Sequence, residues 1–204
     1  MVNEDFISFL RGNLPSLSIQ KEKIVVLDIA CGNFEKSFDL YANFPSKIES
    51  IVGVDSCFDK ANIPIDIPCV TTMKGSIDKA FRKEANRSNI IFEEGKTFFY
   101  IPMLEKHFLK HCKCEFEFII CSNFLHFFKE TEIKEYLRNI KNVLSKDGFL
   151  FLSLANDEHS YKQKENMTTF NFKDLRNLLE EFFEVKEIKK YLELNYVMCK
   201  ILCD

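Results

Sequence analysis

The feature that most constrains this chain is the run Ile24-Val25-Val26-Leu27-Asp28-Ile29, which gives way at once to Ala30-Cys31-Gly32-Asn33. Branched apolar residues follow one another without alternating with polar ones. That is the pattern of a strand covered on both faces, as in a parallel sheet, and the small residues after it mark a tight loop feeding a helix. Ile51-Val52-Gly53-Val54-Asp55 repeats the pattern, again ending on an acid. Joined by a helical segment, the two make a βαβ unit. In such units ligands bind at the carboxyl ends of the strands, where Asp28, Gly32 and Asp55 are expected to gather.

The rest of the chain keeps to this scheme. Phe34–Asn43 reads as the helix after the first strand, stopped before Pro45. Phe116–Cys121 is another unbroken apolar strand, Thr131–Leu144 an amphipathic helix, and Phe149–Leu154 a strand entered through a Lys146-Asp147-Gly148 turn. A helix capped by Asn171 follows, then two strands, Phe182–Leu192 and Asn195–Leu202, close enough to be antiparallel. At the N-terminus, Glu4–Leu10 forms a short amphipathic helix ended by Gly12 and Pro15, and Pro102–His111 fits another. Between Ser56 and Gly95 the pattern weakens. Ser76–Asn86 looks helical, and a third strand falls either at Asn89–Glu93 or at Thr97–Ile101. The alternation predicts an α/β fold, a doubly wound and mostly parallel sheet. Residues 1–204 form a single domain, with 1–20 an N-terminal helical segment.

Composition narrows the partners. The 204 residues suffice for one full core, and a net charge of −3 lacks the basic footprint of a nucleic-acid binder. The cluster Lys186, Lys189 and Lys190 reads as a solvated face. No apolar run reaches the ~18 residues of a membrane span, and the acidic start Met1-Val2-Asn3-Glu4-Asp5 is unlike a signal peptide. We therefore expect a cytoplasmic protein, without membrane or nucleic-acid partners, whose eight cysteines are mostly free thiols.

At the strand ends, Gly32 lets a ligand approach the backbone, and Asp55 is placed to accept hydrogen bonds from a ribose diol. A pyrophosphate is disfavoured. The positions where a dinucleotide fingerprint needs glycines hold Ala30, Gly32 and Glu35, and an acid at a helix start repels phosphate. A cofactor with a ribose and a cationic amino-acid end suits Asp28 and Asp55 better.

These residues resemble the class I S-adenosylmethionine-dependent methyltransferases. Leu27-Asp28-Ile29-Ala30-Cys31-Gly32-Asn33 is similar to their first motif and Gly53-Val54-Asp55 to their second. Phe118–His126 is similar to the strand-four motif of the small-molecule branch, and Leu144–Leu150 to the turn before strand five. The resemblance covers residues 20 to 204 and implies a Rossmann-like, seven-stranded sheet with an antiparallel C-terminal strand, S-adenosylmethionine as cofactor, and a small-molecule methyl acceptor. It further implies that Asp28, Ala30, Gly32 and Asn33 line the amino-acid end of the cofactor and that Asp55, with Ser56, binds the ribose. Met103 and Leu104 would pack on adenine, and Ser122 and Asn123 border the methyl group. The chain departs from the family at Phe34, where a third small residue is usual, and it shows no clear counterpart of the acid that contacts the adenine amino group. Phe34 either points into the helix–sheet core, as its helical spacing to Phe38 and Tyr41 favours, or crowds the cofactor.

His126, just after strand four, is the candidate general base, since an imidazole titrates near neutrality; its alternative is a histidine packed among Phe124, Phe127 and Phe128. His159 and Tyr161 are placed to reach the acceptor. His107, His111, Cys112 and Cys114 have ligand-type spacing but form one cluster rather than two ligand pairs, so no metal is expected. Cys31 lacks a histidine partner for nucleophilic chemistry. Two further readings compete with the enzyme: a silent cofactor-binding module of the same fold, motivated by Phe34 and by the missing adenine-contacting acid, and an NAD-linked oxidoreductase, weakened by Glu35.

Overall fold

The computed structural model describes residues 4–13, 22–32, 34–56, 70–72, 98–101, 103–159 and 167–202. Their elements run α1 (Glu4–Asn13), β1 (Ile24–Ile29), α2 (Glu35–Asn43), β2 (Ile48–Val54), β3 (Val70–Thr72), β4 (Phe98–Ile101), α3 (Glu105–His111), β5 (Phe116–Ser122), α4 (Glu130–Val143), β6 (Leu144–Ala155), α5 (Phe172–Glu180), β7 (Phe183–Tyr191) and β8 (Leu194–Ile201). The strands form one sheet in the order β3-β4-β2-β1-β5-β6-β8-β7. β8 is antiparallel to both neighbours, while the other pairings are parallel. This is the expected doubly wound, mostly parallel sheet with an antiparallel C-terminal strand. Beyond the seven expected strands, the three-residue β3 extends one edge.

Unbroken apolar runs become strands here because both faces are covered. On β1, Ile24 and Val26 face one cluster with Phe6, Phe9 and Leu10 of α1 and Leu40 of α2. Leu27 and Ile29 face the other, with Phe108 of α3, Ile133, Leu137 and Ile140 of α4, and Leu175 of α5. Phe98 and Tyr100 of β4 go to the first cluster, Phe99 and Ile101 to the second. The period of two thus sorts two apolar sets onto two helical layers.

Element boundaries follow local chemistry. Asn171 caps α5, its side-chain oxygen accepting from the Asp174 N–H at 2.9 Å, as the sequence predicts. Glu132 reaches back to the Lys129 N–H at the start of α4 (3.2 Å). Helix α1 runs on through Gly12 to Asn13 rather than stopping at Gly12, because Asn13 donates to the Phe9 carbonyl (2.8 Å) and to Glu187 of β7. Of the two sites considered for the third strand, 98–101 is the one seen pairing with β2; Asn89–Glu93 and the helix expected over Ser76–Asn86 lie outside the described residues. The β7 lysines lie on a solvated face, Lys186 beside Glu184 and Lys189 beside Glu187. No helix among the described residues is long and apolar enough to cross a membrane.

Phe34 settles into the core. Its side chain is fully buried, with ring centroids 5.8 Å from both Phe38 and Phe98. The helix expected over Phe34–Asn43 starts one residue later: Phe34 precedes α2 with a left-handed φ of +61°. The ring lies directly on Gly53, where a Cβ would sit 2.2 Å from the Phe34 Cε1 and Cζ atoms and 2.7 Å from the Cys31 sulfur. Gly53 is therefore glycine for Phe34's sake. Gly53→Ala is expected to destabilise the fold by roughly 1–3 kcal/mol from overpacking. In a Phe34→Ala background the same change should cost measurably less, a coupling on the order of 0.5–3 kcal/mol in a double-mutant cycle. Additive denaturation midpoints would show that the two residues do not share this space.

Candidate functional site

The chain builds β1, β2, β3 and β4 on one side of the sheet, then crosses to β5 on the other flank of β1. The strand order therefore reverses between β1 and β5, and the crevice outside their carboxyl ends is where this architecture binds ligands. The loop after β1 opens that crevice. Ala30, Gly32 and Phe34 all have left-handed backbone, with φ of 55°, 48° and 61°. Such conformations cost a residue with a Cβ roughly 1–2 kcal/mol, so two non-glycine residues are held there by outside contacts. The Ala30 N–H donates to the Val54 carbonyl (2.8 Å), the Phe34 N–H donates to the Cys31 carbonyl (2.7 Å), and the Phe34 ring is locked in the core. This winding delivers the Gly32 N–H to Asp55, whose Oδ2 accepts it at 2.9 Å. A Cβ on Gly32 would meet nothing within 4 Å; its face of the loop is open.

The two strand-end acids sit in different surroundings. Asp28 is buried, and its Oδ2 accepts from the Ser37 hydroxyl at 2.6 Å. Burial is the main cause pushing its pKa up to about 7, partly offset by the Ser37 hydrogen bond; the nearby Asp55 charge adds to the rise. Asp55 stands at the crevice, its own carbonyl accepting from the Tyr100 hydroxyl (2.7 Å). Ser56 beside it is exposed, and its backbone N–H bonds the Glu105 carboxylate. Glu105, the first residue of α3, is buried close enough to Asp55 to feel its charge. Burial raises the Glu105 pKa. It is thus an acid just past β4, the place where the sequence showed no clear candidate. Met103 is half-buried against the core, and Leu104, which precedes α3, is 63% exposed.

Across the switch point, β5 ends in a compact polar knot. The Ser122 and Ser153 hydroxyls are 2.8 Å apart. Ser153 Oγ also donates to Asn123 Oδ1 (2.8 Å) and accepts from the Asn123 N–H (2.9 Å), and Asn123 itself has φ 53°. Sequence reasoning missed Ser153. Its signal was a lone hydroxyl in the apolar run of β6, in register with Ser122.

His126 follows in a short 3₁₀ turn, buried, with Nδ1 accepting from the Ala155 N–H at 3.4 Å. The proton of the neutral ring is therefore on Nε2, which makes that atom a donor. Burial, helped by His159, lowers its pKa to about 4. His126 and Asn123 line a cleft of 710 Å³ shared with His159, Tyr191, Tyr196 and Glu193. His159 Nε2 is 3.8 Å from Glu193 Oε2. Buried Asn156 holds these two segments together: its N–H and Nδ2 donate to the Glu193 and Leu192 carbonyls, while its Oδ1 accepts from Glu158 and its carbonyl from His159. The histidine loop and the β7–β8 turn thus converge through one amide that sequence reading passed over. Asn33 and Tyr161 lie outside the described residues. His107 and His111 stack on α3 with centroids 4.5 Å apart, and the Cys112 thiol meets the Cys114 carbonyl, away from this site.

Comparison with known proteins agrees with the geometry. The profile of the methyltransferase domain family matches residues 2–195. The chain belongs to that family of methyltransferase domains. No curated protein matches its sequence. Among solved structures, it is similar in fold to the 1,6-didemethyltoxoflavin-N1-methyltransferase of Burkholderia thailandensis, with TM-score 0.63 and 15% identity over 98% of this chain and 77% of that one. The magnesium protoporphyrin IX methyltransferase of Synechocystis gives 0.58 and 12% over 96% and 77%, and the N-methyltransferase NodS of Bradyrhizobium japonicum 0.58 and 13% over 98% and 99%.

Two titrations check the electrostatics. Asp28 ionises near 3.8 when unfolded and near 7 when folded, so its contribution to stability is full below the lower value and lost as pH rises through the upper one. Asp28→Asn should therefore gain melting temperature on the wild type between about pH 4.5 and about pH 8; an unchanged difference would mean that Asp28 is not buried as charge. The His126 ring resonances should stay flat from about pH 8 down to about pH 5.5, because protonation waits for pH near 4.

Proposed function

We propose that this protein transfers the methyl group of S-adenosylmethionine to a small-molecule acceptor held in the cleft beside His126. The observation that carries the reading is the Gly32–Asp55 pair at the carboxyl ends of β1 and β2, set at the point where the strand order reverses. When bound, the cofactor supplies an electrophilic methyl on a sulfonium. The acceptor's lone pair takes the methyl, and the carbon–sulfur bond pair stays on sulfur.

The chain's part is to bind and align, which carries much of an in-line displacement. Asp55 binds the ribose hydroxyls, with Ser56 beside it. Ala30, Gly32 and Asn33 line the amino-acid end, and Asp28, behind the loop, contributes negative charge once ionised. Met103 and Leu104 pack on adenine. Ser122 and Asn123, tied to Ser153, form a rigid border to the methyl group. His126 holds the acceptor through its Nε2–H; taking a proton instead would require Nδ1 to give up the Ala155 N–H. Phe34 is buried in the core and a Cβ on Gly32 would meet nothing within 4 Å, so Phe34, one of the two features that motivated a silent module, gives it no support.

Calorimetry with S-adenosylmethionine and S-adenosylhomocysteine tests the reading. Asp55→Ala should weaken both by about 1–3 kcal/mol, the range for hydrogen bonds to a charged group. Gly32→Val should do worse, since its Cβ enters the open face and its φ of +48° strains any branched residue. If both variants fold and bind as the wild type does, the cofactor lies elsewhere.

A further inference from the structure

We propose that the acceptor is an aryl-bearing primary or secondary amine, recognised as its ammonium ion by the cleft; this rests on the reading of the cleft as the acceptor site. The cleft's described lining carries two carboxylates, Asp5 and Glu193, and neither lysine nor arginine. One wall is the Tyr191–Tyr196 pair, with ring centroids 4.8 Å apart. Ring faces are electronegative and attract an ammonium within about 6 Å.

This aromatic cluster already holds ammonium groups of the chain itself. Lys36 Nζ lies 5.1 Å from the Phe6 centroid and 5.7 Å from that of Tyr196. Lys189 Nζ lies 5.8 Å from the ring of Phe9, which meets Tyr191 and Tyr196 edge-on. A carboxylate acceptor would instead meet the like charges of Asp5 and Glu193. Phe127 and Leu192, 54% and 85% exposed, give the cleft an apolar edge for the aryl part.

For transfer, the bound ammonium first loses one proton to water at the cleft mouth. The freed lone pair forms the nitrogen–methyl bond as the carbon–sulfur pair passes to sulfur, and the product is a methylammonium ion.

The test uses the intact protein, with and without saturating S-adenosylhomocysteine, and a shape-matched set of probes: tryptamine, indole-3-acetate and 3-methylindole. Tryptamine is expected to bind at least tenfold tighter than indole-3-acetate, and Glu193→Gln to reduce tryptamine affinity about tenfold while leaving S-adenosylhomocysteine affinity and melting temperature unchanged. Asp5→Asn should act in the same direction. Equal or tighter binding of indole-3-acetate overturns the proposal, and so does failure of every probe to bind at ten millimolar. Loss of S-adenosylhomocysteine binding alone overturns the cofactor reading and leaves the amine preference to be judged from the titrations without it.

Discussion

The contact on which the site depends is the Phe34 ring seated on Gly53. A left-handed residue that is not glycine is unstable by itself, and the loop after β1 has two, Ala30 and Phe34, flanking Gly32. Burial of a phenylalanine side chain is worth on the order of 2–3 kcal/mol, enough to hold one such strained residue in place. The anchored ring and the Ala30 bond to β2 lie on either side of Gly32, whose N–H meets Asp55. The crevice is thus shaped by packing on the side of the loop that faces away from it.

The same loop separates two carboxylates of similar sequence context. Asp28 turns inward to Ser37 and is neutral over much of the acidic range. Asp55 turns to the crevice and the backbone of Gly32. The inner acid becomes a charge only as pH approaches 7, whereas the outer one lies at the crevice and accepts the Gly32 N–H. Two acids ending neighbouring strands are thereby given unlike tasks by a difference in burial.

In the cleft beside His126 the organising element is polar. Asn156 spends its backbone and amide groups on the His159 loop and the β7–β8 turn, and Ser153 does the equivalent for Ser122 and Asn123. Buried groups fully satisfied in this way leave few alternative arrangements. The cleft walls are accordingly set by two side chains of β6 and its end, and the aromatic and acidic groups of α1, β7 and β8 are added onto that frame.

The sequence by itself determined the fold class and most strand positions. Its unbroken apolar runs fit only a sheet covered on both faces, and each run ends in residues that stop a strand. It also determined that Gly32 and Asp55 meet, since parallel neighbours bring their ends together. Tertiary structure alone decided the rest. It sent the Phe34 ring to the core, because Gly53 from another strand leaves room there. It revealed Glu105 as a buried acid beside Asp55, a pairing across elements that no spacing encodes. It fixed the His126 hydrogen on Nε2 through a backbone N–H of a different strand. It also assembled Asp5, Tyr191, Tyr196 and Glu193 around one cleft from opposite ends of the chain, because side-chain convergence of this kind depends on how layers pack, and local pattern carries no record of it.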